Sequence, residues 1–194
     1  MGDLRSSPQT HPSPRAMKTH RISMTAGNAA MVRRGLKTQT RRVGKDWEKI
    51  ISVGDRLLVG EMLRRGLDGY AHYRYDDSLV LVGGKPWPWF WKHPNLPAIF
   101  CPTPCVRTIC EITVPVRVER LGDISEADCE AEGIYQSLFD PEPGYSWRNG
   151  VAWPTRRAAY ADLWDSVVKD KPGRRRKDNP EVRVITFRFL GPQP

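Results

Sequence analysis

Gly35-Leu36-Lys37-Thr38-Gln39-Thr40-Arg41-Arg42 joins a segment of helical spacing to a series of strand-forming segments, and its reading decides the fold. Upstream, 25–36 reads as a helix: Ala29, Val32 and Leu36 fall on one face, Asn28 is the candidate cap, and Gly35 suits a left-handed residue near the end. Within the stretch itself hydroxyls and cations are interleaved. In an extended chain Lys37, Gln39 and Arg41 point one way and Thr38, Thr40 and Arg42 the other, so a twist or bulge is needed to bring Lys37 and Thr40 to one site. Lys, Arg and Thr suit phosphate or carbonyl groups. The same composition also describes a solvated strand end.

Downstream, Gly54-Asp55 is a turn signal leading into a short strand, Arg56-Leu57-Leu58-Val59. The region 64–105 is irregular and reads as an insertion. It holds a hairpin of 72–75 with 79–82 around Asp76-Asp77-Ser78, then a Gly- and Pro-rich loop at 83–89. The stretch 109–121 is expected to be the central strand, with Val114, Val116 and Val118 alternating with Pro115, Arg117 and Glu119. Pro115 places that part at an edge or bulge. Ser125 starts a short helix with Asp128 in a capping-box arrangement, and Gly133 ends it. A second loop insertion covers 135–154. The stretch 155–168 is an amphipathic helix with Tyr160, Leu163, Trp164 and Val167 on one face. A basic loop, 169–177, and a β-rich strand, 182–189, close the chain. Strands outnumber helices and do not alternate with long ones, which predicts an α+β mixed barrel flanked by helices and not a doubly wound sheet.

With 194 residues, the chain suits one domain over 18–191, preceded by a polar disordered tail over 1–17. Hydrophobic residues make up 39%, enough for a folded core. Lysine and arginine (31) exceed aspartate and glutamate (22), a net charge of +9 that favours polyanions, nucleic acid foremost. No apolar run is long enough to span a bilayer, and the N-terminus lacks a secretory signal, so a cytoplasmic location without a membrane partner is expected. The oligomeric state is left open.

The segment Gly35-x-Lys37-Thr38-x-Thr40-x-Arg42 resembles the signature of ASCH domains, a branch of the PUA-like barrel superfamily. Gly54-Asp55-Arg56-Leu57 is similar to the family's second motif. Arg117-Val118-Glu119-Arg120-Leu121, Asp123-Ile124-Ser125-Glu126 and Ala131-Glu132-Gly133-Ile134 resemble its third block. Leu163-Trp164-Asp165-Ser166 and Asp178-Asn179-Pro180 resemble the C-terminal pattern of phage and prophage members. Some small bacterial members are N(4)-acetylcytidine amidohydrolases, whose proposed catalytic groups are a Lys and a Thr in the first motif and a Glu in the third block. By position these are Lys37, Thr40 and Glu132. The resemblance thus implies an amide hydrolase acting on an acylated cytidine or a related modified nucleoside, with no cofactor. An RNA-binding module without turnover and a single-strand ribonuclease are the competing readings.

The chemistry is physically coherent. Amide cleavage needs a nucleophile, a base and a stabiliser for the oxyanion. Thr40 is the candidate nucleophile and Lys37 the base. A free lysine has a pKa of about 10.4, and burial beside Arg41 or Arg42 lowers it. A shift of roughly 3 units corresponds to about 4 kcal/mol. Glu132 then orients Lys37 or protonates the departing nitrogen. In the alternative, Glu132 activates a water and Lys37 stays charged as an electrophile. Glu132 also sits among Asp123, Glu126, Asp128 and Glu130, a setting that describes a solvated helix face equally well.

Thr38, Arg41, Arg42, Arg56, Glu61 and Arg107 are candidate ligand-binding residues, and Arg174-Arg175-Arg176-Lys177 is a candidate phosphate-contacting run whose bland alternative is a solvated loop. Family members often carry Met-Pro-Arg-Trp before the central strand; here that Trp is missing from 101–107. Base stacking then falls to Trp87, Trp89, Phe90 or Trp91, unless these rings only cover one side of the barrel. Cys101, Cys105 and Cys110, with His93 or Cys129, offer a conceivable zinc set, but the spacing lacks the two tight pairs of structural zinc, and reduced thiols without metal are expected.

Overall fold

The computed structural model describes residues 15–44, 46–137, 144–147, 151–168 and 171–192. Most of the expected tail, parts of the second insertion and the start of the basic loop lie outside them. In chain order the elements are β1 (Thr19–Ser23), α1 (Ala26–Arg33), β2 (Gln39–Arg42), α2 (Trp47–Ile50), β3 (Arg56–Gly60), β4 (Leu63–Arg65), β5 (Ala71–Tyr73), β6 (Leu81–Val82), β7 (Lys85–Pro86), β8 (Asn95–Leu96), β9 (Thr108–Ile112), β10 (Arg117–Arg120), α3 (Glu126–Ala131), β11 (Tyr135–Ser137), β12 (Gly144–Ser146), α4 (Arg156–Val168) and β13 (Glu181–Gly191).

The main sheet runs β1-β3-β9-β13-β10, with β2 also paired to β13. β1 and β3 are parallel and the other pairs antiparallel. The mixed sheet curls into a half-barrel carrying a few helices, the α+β class that the element order predicts. β13 organises it: Glu181–Val184 pair with β10, Arg183–Thr186 with β2, and Phe187 onward with β9.

Alternation along the strands sorts the core. Leu57, Val59, Cys110 and Ile112 face a cluster with Ile22, Val32, Trp47, Ile185 and Phe187 inside the half-barrel. Leu58 and Ile109 face the opposite way, onto Leu63, Ala71, Tyr73, Val80, Leu96, Cys101 and Cys105. The region after β3 therefore buries a core of its own against the back of the sheet, and Trp87, Trp89 and Trp91 pack there partly buried. A third cluster packs α3 and α4 through Cys129, Ala159, Tyr160, Leu163 and Trp164 against Leu121 and Val182.

Several sequence expectations change. The cap of α1 is Thr25, whose hydroxyl accepts from the Asn28 N–H at 3.3 Å; Asn28 lies inside the helix. Leu36 falls beyond the helix and is exposed, while Gly35 takes the left-handed conformation (φ 71°). The expected central strand breaks into β9 and β10 around Pro115, which has no N–H to donate, and Val114 and Val118 are exposed. The central position passes to β13. Gly83-Gly84 forms a tight hairpin turn between β6 and β7, both residues at positive φ, where 83–89 reads as loop. Within the second insertion, β11 and β12 pair. β1 has no forecast in the sequence because only Ile22 of its five residues is buried.

Candidate functional site

The site forms where the segment after α1 crosses the end of α3. The Thr38 N–H donates to the Ala131 carbonyl at 2.9 Å, and the Thr38 carbonyl accepts from the Phe187 N–H at 2.8 Å. These bonds hold Lys37 and Thr38 just ahead of β2, between helix and sheet. Strict alternation therefore fails: Lys37, Gln39, Thr40 and Arg41 are all buried and Thr38 is exposed. Ser125 caps α3 by accepting from the Asp128 N–H at 3.0 Å. Glu132 is the residue that closes α3, and Gly133 follows at φ 95°, a conformation glycine adopts freely. A Cβ on Gly133 would stand 3.4 Å from Lys37 Cβ, an ordinary contact, so it is the backbone conformation and not space that favours glycine here.

Lys37 Nζ donates to Glu132 Oε2 at 2.5 Å and to the Glu132 carbonyl at 2.7 Å. Both groups are almost completely buried (side chains 2% and 4% exposed). The ammonium thus meets a carboxylate and a helix-terminal carbonyl together, a favourable end of the dipole for a cation. Burial nonetheless pushes the Lys37 pKa below its ordinary 10.5; Glu132 opposes the shift, and Arg42 and Arg41 add to it.

Arg41 braces the carboxylate from the other side. Its Nη1 donates to Glu132 Oε1 at 3.2 Å and to Gln39 Oε1 at 2.8 Å. Its Nε and Nη2 hold Glu119 Oε1 at 2.9 and 2.6 Å, and Nη2 lies 3.2 Å from Asp128 Oδ2. Burial disfavours the Arg41 charge, but Glu132, Tyr160 and Glu119 outweigh it and raise the pKa. Asp128, desolvated yet bonded to Arg117 and Ser125, falls to about 2.

Lys37, Thr40, Arg41, Arg42 and Glu132 line one cavity of about 560 Å³, together with Tyr160, Leu163 and Trp164 of α4, Ser23 and Met24 at the end of β1, and Thr25, Ala26 and Asn28 at the start of α1. The volume lies within the range of small-ligand sites, roughly 300–1,000 Å³. Among the described residues, Thr40 Oγ1 has no hydrogen-bond partner. Tyr160, which the sequence shows only as part of a helical apolar stripe, is buried on this wall with its pKa raised well above 10 by burial and by Glu132. Its apolar spacing gives no sign of this place on the cavity wall.

The other candidates separate. Arg56 is exposed on β3 and does not line the cavity. Glu61 and Arg107 also lie off it. Glu61 is buried and accepts from Arg33, from Arg107 Nε and Nη2 at 3.1 Å each, and from Thr108 Oγ1 at 3.1 Å. Arg107 also reaches Asp76 at 2.9 Å and stacks 3.6 Å over the Tyr73 ring. Of the basic run, Arg174 lines the cavity, while Arg175 pairs with Asp178 at 3.1 Å and Arg176 with Asp165 at 3.5 Å; Lys177 is exposed. Trp87, Trp89 and Trp91 pack against the second core, and Phe90 is exposed. The four cysteines are buried free thiols, and no group of three or more His, Cys, Asp or Glu side chains placed to hold a metal occurs among the described residues.

Neither a family model nor a curated protein matches the chain. Solved structures similar to it include the following two. One is an ASCH domain from Lactobacillus crispatus JV V101, 13% identical over 90% of this chain and 79% of that one, with a TM-score of 0.41. The other is a protein from Enterococcus faecalis V583 of family model DUF984, 11% identical over 84% of this chain and 67% of that one, with a TM-score of 0.38.

Proposed function

We propose that the protein is an amide hydrolase that removes the acyl group from an N(4)-acylated cytidine or a closely related modified nucleoside. The observation that carries this reading is the buried Lys37–Glu132 pair on the wall of a ligand-sized cavity that Thr40 also lines. A lysine desolvated in this way gives up its proton more readily than a free one, which is the property a base requires. Thr40 Oγ attacks the acyl carbon while Lys37 Nζ takes the hydroxyl proton. The carbonyl π electrons move to oxygen, and Arg42, on the same wall, offsets that charge. Collapse breaks the bond to the exocyclic nitrogen, which leaves as the free amine with the proton from Lys37. Water then cleaves the acyl-threonine ester by the same proton path and releases the carboxylic acid. Glu132 holds the Lys37 amine in place throughout, and Arg41 fixes Glu132.

The test is to incubate the protein with N(4)-acetylcytidine and follow cytidine formation by ultraviolet absorbance. The expected result is turnover that falls about 10²–10⁴-fold in Lys37→Ala and in Glu132→Ala. A folded wild-type protein without turnover on acetylcytidine or a wider panel of acylated bases would end the hydrolase reading. A second reading, an RNA-binding module without catalysis, is favoured by the surplus of positive charge (+9). Salt-sensitive RNA binding with no bond cleavage supports it.

A further inference from the structure

We infer that the same cavity carries a phosphate subsite, so that it holds a nucleotide more tightly than the free nucleoside; this rests on the nucleoside reading above. The observation is an imbalance of charge on the wall. Lys37 and Arg41 are engaged by carboxylates. Arg42, Lys171 and Arg174 line the same cavity, and none of them forms an ion pair with a carboxylate of the described residues. Among the described residues of the wall the one carboxylate is Glu132, already held by Lys37 and Arg41.

Arg42 is the most telling of the three. Its Nη2 donates to the Ser23 carbonyl at 2.8 Å, and among the described residues its buried Nε and its Nη1 have no hydrogen-bond partner. It also lines a smaller adjoining cavity of about 210 Å³ with Arg21, Ser23 and Trp47, so it stands between the two spaces. Glu132 acts on this guanidinium only at a distance and is already held by Lys37 and Arg41, so a desolvated Arg42 without an ion pair to a described carboxylate favours a bound anion.

Arg174 is positioned, not merely nearby. Trp164 Nε1 donates to its carbonyl at 2.9 Å, its N–H closes a turn onto the Lys171 carbonyl at 3.2 Å, and its Nη2 lies 3.5 Å from where a Cβ on Gly44 would stand. The Lys171–Arg174 turn therefore hangs beside the end of β2, next to Arg42. The first turn of α1 completes the wall with Thr25, Ala26 and Asn28, and its backbone N–H groups add to the preference for an anion. Acyl-bearing base and phosphate would occupy adjoining parts of one cavity: the base by Lys37, Thr40 and Glu132, the phosphate by Lys171 and Arg174, with Arg42 between them serving both negative charges.

Isothermal titration of the whole protein with cytidine, cytidine 5′-monophosphate and a six-nucleotide RNA lacking terminal phosphates tests this. The expected result is at least about tenfold tighter binding of the monophosphate than of cytidine at low ionic strength, narrowing as salt is raised. In Lys171→Ala/Arg174→Ala, checked for folding by circular dichroism, that preference falls to within about twofold. The RNA separates the sources: tighter binding of the strand assigns the subsite to a phosphodiester, tighter binding of the monophosphate to a free nucleotide, and either supports the subsite. Equal affinity of the wild-type protein for all three overturns it. Phosphate preference without any hydrolysis of acetylcytidine or its monophosphate ends the hydrolase reading and leaves the subsite standing. Hydrolysis of both at equal kcat/KM, with no difference in affinity, does the reverse.

Discussion

Two buried glutamates, Glu61 and Glu132, stand in the same molecule with nearly the same exposure, 2% and 3%, and nearly the same kind of partners. Glu61 is saturated. Arg33, Arg107 and Thr108 take up its oxygens, Arg107 is itself clamped by Asp76 and Tyr73, and neither Glu61 nor Arg107 lines the main cavity. This cluster fastens the end of β3 to the start of β9. Glu132 has the Lys37 amine and Arg41 on it, but its surroundings open onto a cavity that also holds the Thr40 hydroxyl. The difference is not burial or charge. A carboxylate held by guanidinium groups and a threonine hydroxyl cannot pass a proton, because neither releases one near neutrality. A carboxylate bound to a desolvated lysine beside free space is able to take part in proton transfer.

Substitutions at the two positions should therefore separate activity from stability. Glu132→Gln and Lys37→Arg are expected to lower kcat/KM for acetylcytidine by about 10²–10⁴-fold. Glu61→Ala is expected to destabilise the fold by about 3–5 kcal/mol, by stranding Arg33 and Arg107, while activity per folded molecule is kept. Calorimetry at matched folded fractions checks this, at roughly 2–4 °C of Tm per kcal/mol for a chain of this size. A Glu61 variant that is stable but inactive would break the comparison.

The pH dependence sharpens it. The Lys37 pKa is lowered by burial, and a base acts in its neutral form, so kcat/KM should rise with pH along a limb whose midpoint lies below 10.5. Glu132 opposes that lowering, so any residual activity of Glu132→Gln should show the limb at still lower pH. The linkage has the matching sign. Between the lowered pKa and 10.5 the unfolded chain binds more protons at Lys37, so this group's contribution to stability grows as pH rises through that window. Lys37→Met should remove that part of the pH dependence in denaturant titrations.

Asp55 provides a control outside both clusters. Although burial disfavours its charge, the Lys18 and Ser52 N–H groups, His20 and Arg15 lower its pKa to about 2. Relative to the ordinary 3.8, this contributes about 2 kcal/mol, present above 3.8 and lost as pH falls through about 2. Asp55→Asn should flatten the acid limb of the stability curve and leave the alkaline activity limb where it is. The smallest effect is expected at Arg188, which is exposed and pairs with Glu111 at 2.6 Å: Arg188→Ala should change stability by less than about 1 kcal/mol.

Much of this architecture is legible in the residues. Gly35 and Gly133 mark two turns at positive φ, Ser125 caps α3, and the valine-rich segment at the end becomes β13. What the sequence hides follows from physical causes. β1 is polar because it is an edge strand of the main sheet, with one residue in the core. The 109–121 pattern reads as one strand because alternation continues through Pro115, whereas the ladder cannot. Lys37 and Thr40 reach one cavity although their spacing places them on opposite faces, since Lys37 precedes the strand. Tyr160 and Arg174 join the site through the packing of α4 and the turn after it, long-range contacts that local periodicity does not encode. Glu61 and Arg107 share the residue types of a binding site and are brought together as an internal clamp instead.

The most direct test of the central claim is the pH–rate profile of acetylcytidine hydrolysis by the wild-type protein and by Lys37→Arg. A proton-accepting amine at this position predicts a rising limb below pH 10.5 in the wild type and its disappearance, with the activity, when a permanently charged guanidinium takes its place. Undiminished turnover by a folded Lys37→Arg protein, with the limb unmoved, would contradict it.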